Sequence, residues 1–153
     1  MDLCRLVYRS TATPSLLDSS YNLLRLAKQA AEKNSRLEIT GLLLLSKNQF
    51  LQALEGPHDS INHLYAAISN DDRHKNIRLI SFECDQERFF ENWSMRLIDV
   101  NDLFLGAREI LMKKYDCEDG TIQIPTQPQK AFSLLFDAKF FSVHKPWEIK
   151  LNS

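Results

Sequence analysis

Residues 38–56 read EITGLLLLSKNQFLQALEG, and this stretch decides the fold. EITGLLLL, residues 38–45, is too apolar for an edge strand and predicts a central strand covered on both faces. SKNQ supplies a hairpin turn, and FLQALEG, residues 50–56, is the returning strand. Side chains alternate along a strand, so Phe50, Gln52 and Leu54 share one face. A primary amide therefore stands between two large apolar groups. If that face is buried the amide must find partners, because an unsatisfied one costs ~1–3 kcal/mol.

Upstream of the hairpin, LCRLVY at residues 3–8 alternates, with Cys4, Leu6 and Tyr8 on one face, and predicts a first strand. STATPS reads as a turn, after which Asp18 caps a helix running to about Lys33. Leu23, Ala27, Ala30 and Asn34 recur on that helix at i, i+4, i+7 and i+11, so Asn34 ends an apolar stripe. Downstream, Pro57 and HDS open a second helix with Ile61, Leu64, Tyr65 and Ile68 at helical spacing. NDDRHKN, residues 70–76, is a polar loop, and residues 77–84 form a fourth strand. After a DQER turn, Trp93, Met95 and Leu97 alternate on one face of a fifth strand.

The order β-α-β-β-α-β-β over residues 1–100 predicts an α+β, ferredoxin-like sheet with two helices on one face. Residues 101–153 hold two further helical patterns. Leu103, Ala107 and Ile110 share a stripe in the first; Phe132, Phe136, Phe140 and Val143 share one in the second. Joined by an irregular segment with two prolines, they are expected to cover the other sheet face.

Composition narrows the function. Of 153 residues, 44% are hydrophobic and 25% charged, an ordinary folded-domain balance. Nineteen Lys and Arg against twenty Asp and Glu give a net charge of −1, which argues against sequence-independent nucleic-acid binding. With four glycines, neither GxGxxG nor GxxxxGK[ST] occurs, which excludes those two nucleotide-binding loops. The three cysteines lack CxxC spacing, so neither a disulfide framework nor a zinc site is expected, and a reducing cytoplasm fits best. Without a signal-peptide pattern or a long apolar run, no membrane association is expected.

Hydrolytic chemistry is weakly supported. The loop after the first strand offers Arg9 and Ser10 but no glycine, so a backbone cradle for phosphate is missing. Cys4 and Cys84 lie within strands, as core thiols rather than nucleophiles. His74 beside Asp71 and Asp72 in a polar loop reads as a solvated turn, and no metal is expected. What stands out is neutral polar chemistry: Tyr8 on the neighbouring strand, Gln52, and Asn34 aimed inward from the helix.

RLVYRS, KNSRLEITGLLLL, FLQALEGP, DDRH and NWSM occur in this order over residues 3 to about 100. Together they resemble the BLUF domain, a blue-light sensor that uses a flavin. The resemblance implies a flavin held noncovalently between the two helices, against the sheet. Tyr8 matches the tyrosine that gives an electron and then a proton, and Gln52 the glutamine that rearranges its hydrogen bonds. Asn34 matches the asparagine that bonds the pyrimidine side. Leu26, Ala30, Phe50 and Leu54 match pocket-lining residues; Asp71, Arg73 and His74 match the loop at the ribityl and phosphate end. Trp93 and Met95 match a pair near the glutamine that carries the signal into strand five.

FAD is the implied cofactor, with FMN and riboflavin as other possibilities. Lys33 and Ala67 depart from the family pattern. The expectation is a photoreceptor, not an enzyme, which signals to a separate downstream protein because no output domain follows, and which forms a homo-oligomer. A flavin-free interaction module on the same fold is the alternative.

Overall fold

The protein is described from a computed structural model covering residues 2–84 and 86–144. The first strand, β1 (Leu3–Ala12), runs past its expected end at residue 8. STATPS has turn-forming residues, yet Ser10 and Thr11 pair with Phe50 and Gln49 across the sheet, and tertiary pairing overrides the local preference. A single turn, α1 (Pro14–Leu17), starts on the proline. The long helix α2 (Ser20–Arg36) is capped by Ser19, whose side chain accepts from the Tyr21 N–H, rather than by Asp18. Asn34 is buried at its C-terminal turn.

The hairpin forms as read, with β2 (Thr40–Ser46) followed by β3 (Gln49–Pro57). Next come α3 (His58–Ser69), β4 (His74–Glu83) and a short β5 (Arg96–Asp99). The sheet order is β4-β1-β3-β2-β5, with only β2 and β5 parallel. Tyr8 and Leu43 both face Gln52, from the strands on either side of β3. The β1–β4 ladder slips between Val7 and Tyr8 and again between Arg9 and Thr11. Such bulges re-aim side chains, and these two flank the Tyr8–Arg9 step.

Gly41 shows why the hairpin carries a glycine. A Cβ there would lie 2.0 Å from the Ala53 carbonyl oxygen and 3.1 Å from the Met95 Cε. The close approach of β2, β3 and Met95 therefore requires a bare backbone.

A 3₁₀ turn (Val100–Asp102) leads to α4 (Leu105–Lys114), a small hairpin of β6 (Cys117–Glu118) and β7 (Thr121–Ile122), and α5 (Pro128–Val143). The α4 and α5 helices pack on the second sheet face, over Val7, Leu42, Leu44, Leu51 and Ala53. The buried stripe of α5 is Ala131, Leu134, Leu135, Ala138 and Phe141. The expected Phe132, Phe136, Phe140 and Val143 stripe instead turns outward, with Phe136, Phe140 and Val143 exposed. This helix is apolar on several faces, so spacing alone did not fix which one packs.

Two further expectations change. Cys4 and Cys84 are not free core thiols: they are joined by a disulfide, while Cys117 is free and exposed. Antiparallel pairing of Leu6 with Phe82 and Arg5 with Glu83 brings Cys4 opposite Cys84, a juxtaposition that a separation of 80 residues hides. Trp93 and Met95 also precede β5 rather than lying within it. Asn92, at φ 66°, breaks the extended chain just before them. Period-two alternation therefore fails, and Trp93 packs with the α4/α5 core while Met95 packs with the α2/α3 core.

The segment before Trp93 is tied to the sheet by Glu55, which is fully buried. Its carboxylate accepts from the N–H groups of Phe89 (2.8 Å) and Phe90 (2.8 Å) and from Arg5 Nη2 (2.7 Å). Lys139 on α5 donates to the Phe89 carbonyl. No helix among the described residues is long and apolar enough to cross a membrane.

Candidate functional site

A cavity of about 290 Å³ opens between α2, α3 and the sheet. The α2 helix contributes Leu26, Gln29, Ala30, Lys33 and Asn34, which recur every three or four residues and so share a face. Leu64, Ala67 and Ile68 of α3 form the opposite wall. The floor is Tyr8, Leu43, Phe50 and Gln52, all on one side of the sheet. Asp71, Arg73 and His74 close one end. An apolar cleft of this size with a few convergent polar groups suits a flat organic ligand.

The polar groups form a connected set. Tyr8 donates its phenolic O–H to Gln52 Oε1, and Gln52 Nε2 donates to the Met95 sulfur at 3.3 Å. Asn34 Nδ2 donates to the Ser94 carbonyl at 3.0 Å, while the Gly41 N–H donates to the Trp93 carbonyl at 2.8 Å. The segment 93–95 is thus held from the cavity by two amide side chains and from β2 by a backbone bond. Burial raises the Tyr8 pKa well above that of an ordinary phenol, and the neighbouring Tyr65 and Asp71 add to the rise. Tyr8 keeps its proton at any physiological pH. Its ring packs against Tyr65 and, edge-on, against His74.

At the closed end both ring nitrogens of His74 are engaged, Nε2 with the Ile68 carbonyl and Nδ1 with the Ser10 hydroxyl, each at 2.7 Å. Arg73 pairs with Asp71 at 2.6 Å and donates through Nη1 to Gln29 Oε1 at 3.3 Å, which ties the loop to α2. Hydrogen bonding to Arg73 holds the Asp71 carboxyl below the usual carboxylate range, against partial burial.

Nine of the residues singled out in the sequence surround this one cavity: Tyr8, Leu26, Ala30, Asn34, Phe50, Gln52, Asp71, Arg73 and His74. Three do not line it. Leu54 is buried in the core beside it, Met95 reaches it only through Gln52, and Trp93 lies across the sheet. There Trp93 packs on Phe90, with the Arg96 guanidinium 4.4 Å above its ring. Leu16, Gln29, Leu43, Leu64 and Ile68 were not proposed as walls. The strand alternation of Leu43 and the helical spacing of Leu64 and Ile68 carried that signal.

The side chains fit a flavin. The sheet floor and Asn34 present neutral donors and acceptors between apolar walls, as an amide-edged aromatic ring system requires, while the exposed Lys33 and the Asp71–Arg73 pair add charge at the edges. Comparison with known proteins agrees. The sequence model of the BLUF family, described as sensors of blue-light using FAD, matches residues 3–96. The photoactivated adenylate cyclase subunit beta of Euglena longa is 35% identical over 94 residues, covering 61% of this chain and 11% of that protein. The chain therefore spans only a small part of that relative. The dark-state structure of BlrB, a BLUF protein, superposes with a TM-score of 0.72 at 27% identity, over 93% of this chain and 98% of the other. Klebsiella pneumoniae BlrP1, solved with FMN and cyclic diGMP, aligns at 31% identity with a TM-score of 0.63, over 72% of this chain and 30% of that one.

Proposed function

The chain belongs to the BLUF family of blue-light sensors, and from that premise we propose a photoreceptor whose cavity holds a flavin noncovalently between α2 and α3. The observation that carries this reading is the bonded series Tyr8, Gln52, Met95, whose tyrosine and glutamine form the neutral polar floor of the cavity. A bound flavin supplies absorption in the blue and, once excited, an oxidant able to take an electron from a phenol.

Tyr8 is the donor of that electron and then of its proton. A phenol shielded from water cannot lose the proton to solvent, so the proton stays available to Gln52, which accepts the phenolic hydrogen bond. Gln52 responds because a primary amide both donates and accepts, and it can exchange the two roles without changing charge. Asn34 orients the ring from the end of α2. Leu26, Ala30 and Phe50 exclude water from it. Asp71, Arg73 and His74 hold the polar tail. FAD is the proposed form; FMN, which BlrP1 holds, and riboflavin are the other candidates.

The signal leaves through Met95. Changing the amide of Gln52 alters its bond to the Met95 sulfur, and residues 93–95 lead directly into β5 and the helices beyond. Residues 1–100 are the sensing unit, and 101–153 relay its state to a separate signalling protein, with assembly into a homo-oligomer. The protein acts as a sensor and not as an enzyme. Absorbance spectra of the purified protein, before and after blue illumination, test the reading. Flavin bands and a small reversible red shift are expected; a colourless protein that takes up no added flavin would sink it.

A further inference from the structure

A second depression beside the Arg73 end of the cavity is lined by Ser15, Leu16, Asn22, Arg25, Gln29 and Arg73. Leu16, Gln29 and Arg73 line both spaces, so the two share a wall. Asn22, Arg25, Gln29 and Lys33 recur along α2 at intervals of three, four and four, forming one polar ridge. That ridge runs from beside Asn34, at the inner end of the cavity, out into the depression.

We propose that this depression is a subsite for the 5′-phosphate of the bound flavin, with Arg25 as its principal cation. The inference rests on the flavin reading of the cavity and adds which part of the ligand this chain selects. Arg25 stands nine residues before Asn34, about 13 Å along the helix axis. A ligand that spans both levels is longer than the flavin ring alone, which suits a ring carrying a ribityl chain and a phosphate.

The choice of Arg25 over Arg73 follows from what each guanidinium already does. Arg73 donates through Nε and Nη2 to Asp71 and through Nη1 to Gln29, and the Asp71 carboxylate balances its charge. Arg25 makes no ion pair among the described residues. Its planar fork is free to meet phosphate oxygens in the paired geometry that guanidinium favours. The Arg73–Asp71–Gln29 array then forms the rim over which the chain of the ligand passes.

Riboflavin, FMN and FAD share the ring and ribityl chain and differ in phosphate and adenylate, so they separate this subsite from the cavity itself. Each is titrated into the apoprotein by fluorescence quenching, using the wild type, Arg25→Gln and Arg25→Lys. The wild type should bind FMN and FAD about tenfold more tightly than riboflavin, the scale of one charge-assisted contact. Arg25→Gln should abolish that preference while riboflavin binds as before, and Arg25→Lys should keep part of it. FAD tighter than FMN would extend the subsite to the adenylate, and equal affinity would confine it to the phosphate; both support it. Riboflavin binding as tightly as FMN in the wild type overturns the subsite, as does equal weakening of all three by Arg25→Gln. Failure of all three flavins to bind the wild type overturns the flavin reading as well.

Discussion

Tyr8 and Gln52 are partners across the β1–β3 ladder, and the phenol of one donates directly to the amide oxygen of the other. Adjacent strands hold the two backbones at a fixed spacing, so neither side chain needs a loop to bring it into range. The same amide donates to Met95, which leaves it bonded on both sides.

Removing the phenolic oxygen tests the first of these bonds. Tyr8→Phe should still take up flavin, since the ring and its packing remain, but should lose the light-induced red shift. Gln52→Leu should fail in the same way, because leucine neither donates nor accepts. A full, reversible shift in Tyr8→Phe would remove Tyr8 from the role of donor.

The Asp71–Arg73 pair gives a dependence on pH with a definite sign. A carboxyl whose pKa is lowered by folding contributes above its unfolded value and loses that contribution as pH falls through the folded one. The pair's contribution to folding stability, read by urea denaturation across pH, should therefore be level from about pH 8 to about pH 5 and decline only below about 4. Arg73→Ala should weaken flavin retention severalfold, roughly tenfold at most for a partly exposed pair, and flatten the acid decline. Equal occupancy of mutant and wild type after long dialysis would count against the loop as a flavin contact.

Met95 links the cavity to β5, while Trp93, two residues away, belongs to the other face of the sheet. Met95→Ala should keep flavin and most of the spectral shift yet reduce the structural response to light. Hydrogen exchange over residues 93–115, in darkness and under blue light, measures it. Light-dependent exchange there is expected in the wild type and should shrink in the mutant. If wild-type exchange ignores light while the spectrum shifts, the signal leaves elsewhere.

Glu55 is a structural prediction rather than a photochemical one. Substituting Glu55 by Ala removes the carboxylate that balances Arg5, which keeps only the Gln86 amide and the Glu87 carbonyl, and strands two backbone N–H groups at residues 89 and 90. Loss of one partner of a buried ion pair costs about 3–5 kcal/mol, so urea denaturation should show a lower midpoint with a similar slope. A variant as stable as the wild type would mean that the contacts of Arg88 and Lys139 suffice to anchor the segment.

The sheet, the hairpin and most of the cavity were legible because their signals are local. Phe50, Gln52 and Leu54 alternate on a strand, and Ala30 and Asn34 share a helix face, so each shows its direction within a few residues. The errors fall where direction depends on distant chain. Asn92 adopts positive φ and the chain bends at Ser94 between Trp93 and Met95, so the two are not on an extended strand and no alternation pattern reveals their directions. The Cys4–Cys84 bridge depends on the register of β1 against β4. In α5, the Phe132 series and the Leu134 series are both helical in spacing, and only the shape of the sheet beneath decides between them.

The sheet is one strand layer thick, and its two faces belong to two different cores. Gln52 looks into the cavity, while Leu51 and Ala53, its neighbours in the chain, are sealed beneath α5. A boundary at residue 100 would therefore divide labour without dividing stability. A chain cut there would leave Val7, Leu42, Leu44, Leu51 and Ala53 facing water as one oily plate. Such a plate finds another lid, in a second copy of itself or in an aggregate. The helices proposed to carry the message are also the roof that keeps the receiver standing.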